Sequence, residues 1–110
     1  MSKPLVIELQ GEFDIYRCPE LAKIVEPALS APAVVLDMGA ARYIDSSSLS
    51  VLVRLHKQRM AAGLPAAVLA AVPPQVRTVL SITKLDELWP AYATVEEACA
   101  AARNGKPKKR

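Results

Sequence analysis

The sequence predicts a single α/β domain built on a mostly parallel sheet, and three observations lead there. Strand and helix patterns alternate along the chain, as in folds whose helices connect parallel strands. Two strand segments, "AVVLDM" and "PAAVLAAV", are nearly unbroken apolar runs, the pattern of strands covered on both faces. The 110 residues suffice for one domain and no second. Hydrophobic residues make up 52% of them, enough for a core, but aromatics only 5%, so the core is expected to be Ala, Val, Leu and Ile.

In chain order, "PLVIEL" is aliphatic and β-branched and reads as a first strand, ending at "QGEFD", where Gly11 permits a turn. Pro19 suits the first turn of a helix, where its missing N–H costs nothing. Leu21, Ile24, Val25 and Ala28 follow at helical spacing, and Pro27 should shorten that helix at its end. After the strand "AVVLDM", a second helix carries Leu49, Leu52, Val53, His56 and Met60 on one stripe. Val51 and Leu55 widen the stripe, while Arg54, Lys57 and Arg59 are expected to face water.

Gly63 closes this helix as a left-handed cap. "PAAVLAAV" is the next strand, and "PPQVRTVLSI" a short helix with Val76, Val79 and Leu80 inward. "ELWPAYA" supplies a last short strand that Pro90 confines to an edge. Thr94 and Glu97 form a capping box for the final helix, whose apolar face is Val95, Ala98, Cys99 and Ala102.

The formal charge of +3 sits mainly in the tail. "RNGKPKKR" holds five of the fourteen Lys and Arg, and the remaining nine against eleven acidic residues leave the body at −2. Residues 1–103 are therefore read as the folded domain and 104–110 as a disordered basic tail. Nucleic-acid binding would need a basic stripe on the folded face with aromatics to stack on, and neither is present. Cys18 and Cys99 lack metal-ligand spacing and only one histidine is available, so no metal site is expected and both thiols are read as buried and reduced. No apolar stretch reaches signal-peptide or membrane-spanning length, which points to the cytoplasm and to no membrane partner.

The segment "ARYIDSSSLSVLVRL" poses the functional question, because three serines follow an aspartate just where a helix begins. Asp45, Ser46 or Ser47 could each cap that helix. The exposed N–H groups and positive dipole end could also receive an added phosphate. Nucleophilic catalysis at Ser46 needs a nearby histidine, and His56 lies ten residues on, about 15 Å along a helix. His56 is instead read as a partly buried helix residue. No phosphate-binding loop motif is present, and Glu12 with Asp14 makes no clear aspartyl-phosphate site. These residues indicate neither an enzyme nor a cofactor.

The segments "LQGEFDIYRCPELAKIVEPAL", "VVLDMGAARYIDSSSLSVLVRLHKQRMAAG" and "AAVPPQVRTVLSITKLDELWPAYATVEEACAA" resemble, in order, the bacterial anti-sigma-factor antagonists of the STAS family. The likeness spans about residues 5 to 102. Its most specific parts are the Gly-Glu-aliphatic-Asp turn (here Gly11–Asp14, with Phe13 for leucine) and the Asp-Ser-Ser loop at Asp45–Ser47. The resemblance implies four or five strands in a mixed, mostly parallel sheet, with about four helices packed mainly on one side.

It further implies regulation by partner switching. Such antagonists bind an anti-sigma factor, which releases its sigma factor. That anti-sigma factor has serine kinase activity and phosphorylates the serine after the loop aspartate, ending the binding; a phosphatase resets it. Carried onto this chain, the acceptor is Ser46, with Ser47 a minor alternative, and the docking surface is Asp14, Asp45, Ser46, Ser47 and Ser48. The family commonly has glycine at Ser48, so a serine there is expected to narrow partner choice or offer a competing acceptor. The alternative is a non-switching STAS docking subunit of a larger assembly, such as a stress-signalling complex or a lipid transporter.

Overall fold

The computed structural model describes residues 3–104. The basic tail read over 104–110 lies outside them, except for Asn104, which ends the last helix. The frame is a four-stranded sheet of β1 (Leu5–Glu8), β3 (Val34–Asp37), β5 (Val68–Ala70) and β6 (Ala91–Tyr92), in that spatial order. Each neighbouring pair runs parallel. This is the α/β architecture expected. Because successive side chains leave a strand on opposite faces, Val34 and Leu36 enter one core and Val35 the other.

The two faces are unequally covered. Helix α4 (Val95–Asn104) lies on the Val35, Val68 and Ala70 face through Ala98 and Ala102. The other face carries the main core, where α1 (Cys18–Val25), α2 (Ser46–Ala61) and α3 (Pro74–Ile82) contribute residues including Leu21, Leu49, Leu52, Leu55, Val76 and Leu80. Pro19 sits in the first turn of α1, as expected. Pro27 follows its end, where the chain tightens into a 3-10 turn over Glu26–Leu29. Pro90 precedes β6, which lies at the sheet edge. The Thr94 hydroxyl accepts the Glu97 N–H at 3.1 Å, half of the predicted box.

Three details differ from expectation. Gly11 does not turn the chain; it opens a strand, β2 (Gly11–Phe13), which pairs parallel with β4 (Ala41–Ile44). β2 and β4 prolong β1 and β3 beyond an irregularity, bridged by Leu9 N–H to Asp37 O and Gly11 N–H to Ala40 O, both 2.9 Å. The register also shifts between Gly11 and Glu12, and Gly11 supplies the positive φ of +87° that this bend requires.

The second difference is the phase of α2. Its inward stripe is Leu49, Leu52, Leu55 and Arg59, so Met60 is 44% exposed and Arg59 is fully buried. A buried guanidinium needs acceptors, and Arg59 finds backbone carbonyls. Nη1 donates to Ala28 O (2.7 Å) and Ala31 O (2.6 Å), and Nε to Pro65 O (3.0 Å). The segment broken by Pro27 leaves carbonyls without helical partners, and the Arg fork occupies them. α2 then ends as predicted, with Gly63 at φ +77° and Leu64 N–H bonded to Arg59 O.

Third, neither cysteine is fully buried; Cys18 and Cys99 are half-buried free thiols.

Candidate functional site

The serine segment begins α2, and its cap is Asp45. With extended backbone (φ −106°, ψ 179°), Asp45 accepts the Ser48 N–H through its carboxylate at 3.0 Å, while its carbonyl takes the Leu49 N–H. Of the three candidates for the cap, the aspartate fills it, which leaves the serine oxygens free for other uses. Ser46 is exposed, Ser47 half-buried and Ser48 fully buried. The N–H groups of Ser46 and Ser47 belong to the first turn and have no partner within the helix.

Ser48 corrects the expectation of a surface contact or competing acceptor. Its hydroxyl points inward and donates to Phe13 O at 2.9 Å, with Cys18 Sγ 3.8 Å away. At 0% exposure it offers nothing to a partner or a kinase. The same Phe13 carbonyl accepts the Asp45 N–H at 3.1 Å. One carbonyl of the Gly11–Asp14 segment thus holds both the cap and the first turn of α2.

That segment continues into a 3-10 turn at Ile15–Arg17, which Asp14 caps by accepting the Tyr16 N–H at 3.0 Å. Asp14 is therefore a turn carboxylate, and it lies immediately beyond the carbonyl bonded to Asp45. Arg17 braces the turn from outside. It donates to Gln10 O and Glu12 O, forms a two-point pair with Glu20 at 2.9 and 3.0 Å, and stacks 4.2 Å over the Phe13 ring. The Glu20 hydrogen bond raises the Arg17 pKa, and the same bond lowers that of Glu20.

Apolar side chains surround this junction on the surface. Tyr16 is 87% exposed, and Ile15 and Tyr43 are also exposed. Beside Ser46, a groove of about 510 Å³ runs along α2, with Leu49, Val53, Arg54 and Lys57 on its helical wall and Leu85 opposite.

His56 stands apart from the serines. It is half-buried, with its ring edge-on to Trp89 at 6.1 Å, and burial followed by the charge of Arg59 lowers its pKa. Its buried Nδ1 finds no hydrogen-bond partner among the described residues. Among those residues no three His, Cys, Asp or Glu side chains converge as a metal site, and no helix is long and apolar enough to cross a membrane.

Comparison with known proteins bears on the family and the fold. The STAS domain model matches residues 2–98. A STAS-domain containing protein of Pseudomonas aeruginosa is 33% identical over 90 residues, 80% of this chain and 87% of that protein. An anti-sigma factor antagonist from Mycobacterium paratuberculosis superposes with a TM-score of 0.74 at 28% identity, covering 89% of this chain and 84% of that one. A sulfate transporter family protein from Wolinella succinogenes shares the fold, with a TM-score of 0.77 at 16% identity over 94% and 90% of the two chains. By family match, by relative and by fold, this chain belongs to the STAS domain family.

Proposed function

We propose that this STAS domain is an anti-sigma-factor antagonist in the cytoplasm. It binds an anti-sigma factor with serine kinase activity, frees the sigma factor held there, and is switched off by phosphorylation of Ser46. The observation that carries this reading is the division of labour in the serine segment. Asp45 takes the capping role and Ser48 the buried one, so Ser46 keeps an exposed hydroxyl at a helix N-terminus.

A phosphate there adds about −1.5 to −2 charges at neutral pH. The unpaired N–H groups and helix dipole offset part of this, so the domain keeps its fold. What changes is the surface, where new charge and bulk stand beside Asp14 and Asp45. A partner seated on Asp14, Asp45, Ser46 and Ser47, with Ile15 and Tyr16 as apolar contacts, is then repelled. The domain acts as a binding protein and not as an enzyme, and a phosphatase restores it.

The test is incubation with the anti-sigma factor and ATP, followed by mass mapping. Phosphate on Ser46 and loss of the complex are expected. Phosphate mainly on Ser47 or Ser50 would overturn the assignment. A stable complex with no phosphate incorporated would favour the non-switching docking subunit.

A further inference from the structure

The groove beside Ser46 is not used by the chemistry at that serine. From Ser46 to Lys57 it follows α2 for about 16 Å, three helical turns. Its accessible apolar lining comes from the half-buried Val53 and Leu85, with the core residue Leu49 beneath, and two cations, Arg54 and Lys57, stand along its helical wall. Both are exposed, neither forms an ion pair among the described residues, and no carboxylate lines the groove. Ile82, next in sequence to the lining residue Thr83, is 76% exposed.

We infer that this groove seats an acidic, amphipathic helix of the anti-sigma factor, with its carboxylates on Arg54 and Lys57 and its apolar stripe on Val53 and Leu85. The inference rests on the function proposed above and names the part of the partner that this face recognises. The apolar anchors of a helix at i, i+3/i+4 and i+7 span about 10.5 Å and fit within the length of the groove. The lining contains no aromatic on which a nucleic-acid base could stack. Two cations fall short of the cluster that anchors a protein on an anionic membrane. Ser46 sits at one end of the groove, so its phosphate competes with the helix carboxylates for the same positive field.

The experiment uses the full chain and the anti-sigma factor that phosphorylates it, in binding titrations at low and high salt. Arg54→Glu/Lys57→Glu should weaken binding by about tenfold or more at low salt, with the gap narrowing as salt rises. Arg103→Glu, on α4 over the opposite sheet face, should bind as the wild type does. Arg54→Ala/Lys57→Ala should fall between, and decides the matter if the reversed pair folds poorly.

Equal affinity of wild type and both double variants would overturn the groove while leaving the proposed function standing. Failure of the wild type to bind any ATP-using anti-sigma factor would overturn both. Binding of single-stranded RNA or phosphatidylglycerol vesicles, lost in the charge-reversed pair, would give the groove to another ligand class and overturn the inference.

Discussion

The Ser48 hydroxyl donates to the Phe13 carbonyl across 35 positions of sequence, at 2.9 Å and out of contact with water. The Asp45 N–H reaches the same oxygen, so one carbonyl ties the turn carrying Asp14 to the start of α2. These two bonds fix where the Asp14 turn sits against the start of α2.

Ser48→Ala should lower stability by about 1 kcal/mol, because the Phe13 carbonyl keeps its bond from Asp45 and only one hydrogen bond is lost. Ser48→Gly should cost more, by about 0.5–1 kcal/mol, through backbone entropy in the helix. Urea denaturation of the three proteins measures both steps. A gain in stability for Ser48→Gly would contradict this account.

The capping assignment separates neighbouring residues. Asp45→Ala should destabilise the domain by about 0.5–2 kcal/mol, since it removes the acceptor of the Ser48 N–H. Ser46→Ala, exposed and outside the cap, should stay within about 0.5 kcal/mol of wild type. Thermal melts decide it, and the reverse order would return the cap to the serine.

Arg59 is a charged side chain at 0% exposure whose guanidinium bonds backbone carbonyls. Arg59→Ala strands the carbonyls of Ala28, Ala31 and Pro65 and opens a cavity, with an expected loss on the order of 3 kcal/mol. Arg59→Lys should recover only part of it, because a point charge cannot reach all the carbonyls at once. Denaturation of the two variants compares them directly, and an Ala form as stable as wild type would show that these bonds contribute nothing net.

Much of this was legible in the sequence, and the failures have physical causes. β3 and β5 are buried on both faces and so read as continuous apolar runs, whereas β4 exposes Arg42 and Tyr43 between Ala41 and Ile44 and lacks a run to detect. Gly11 signals positive φ in a turn and at a strand irregularity alike, so its residue type does not separate the two. Placing Arg59 outside and Met60 inside follows from ordinary residue preferences. The structure inverts it because unpaired carbonyls after Pro27 require a donor. At the site, the exposure of Ser46 agrees with its helix-start position. The burial of Ser48 depends on a carbonyl distant in sequence, and no local pattern reports it.

The pH response should come in part from His56. Its folded-state pKa lies below the ordinary 6.5, through burial and then the charge of Arg59. Protonation therefore favours the unfolded chain. Its stabilising contribution is complete above pH 6.5 and is lost as pH falls through the folded-state value. Unfolding free energies from pH 8 down to 5 should decline across that range, and His56→Phe, which keeps an edge toward Trp89, should flatten this part of the curve. An unchanged slope would assign the acid sensitivity to the carboxylates.

The switch itself is tested by charge at Ser46. Ser46→Ala should fold, bind the anti-sigma factor and resist phosphorylation, acting as a permanently active antagonist. Ser46→Asp adds one charge where phosphate adds about −1.5 to −2, and it lacks the tetrahedral oxygens. It should therefore weaken binding less than phosphorylation does. If a carboxylate of this domain or its partner lies about 6 Å from the new charge, repulsion is roughly 3 kcal/mol at an effective dielectric near 20, about a hundredfold in affinity. Added salt should reduce that loss, because the site is exposed. Titrations of the wild-type, Ala, Asp and phosphorylated forms at two ionic strengths give all the terms. If the folded Asp form bound as tightly as wild type, the electrostatic part of the switch would be lost. If the phosphorylated form did as well, Ser46 would not be the switch at all.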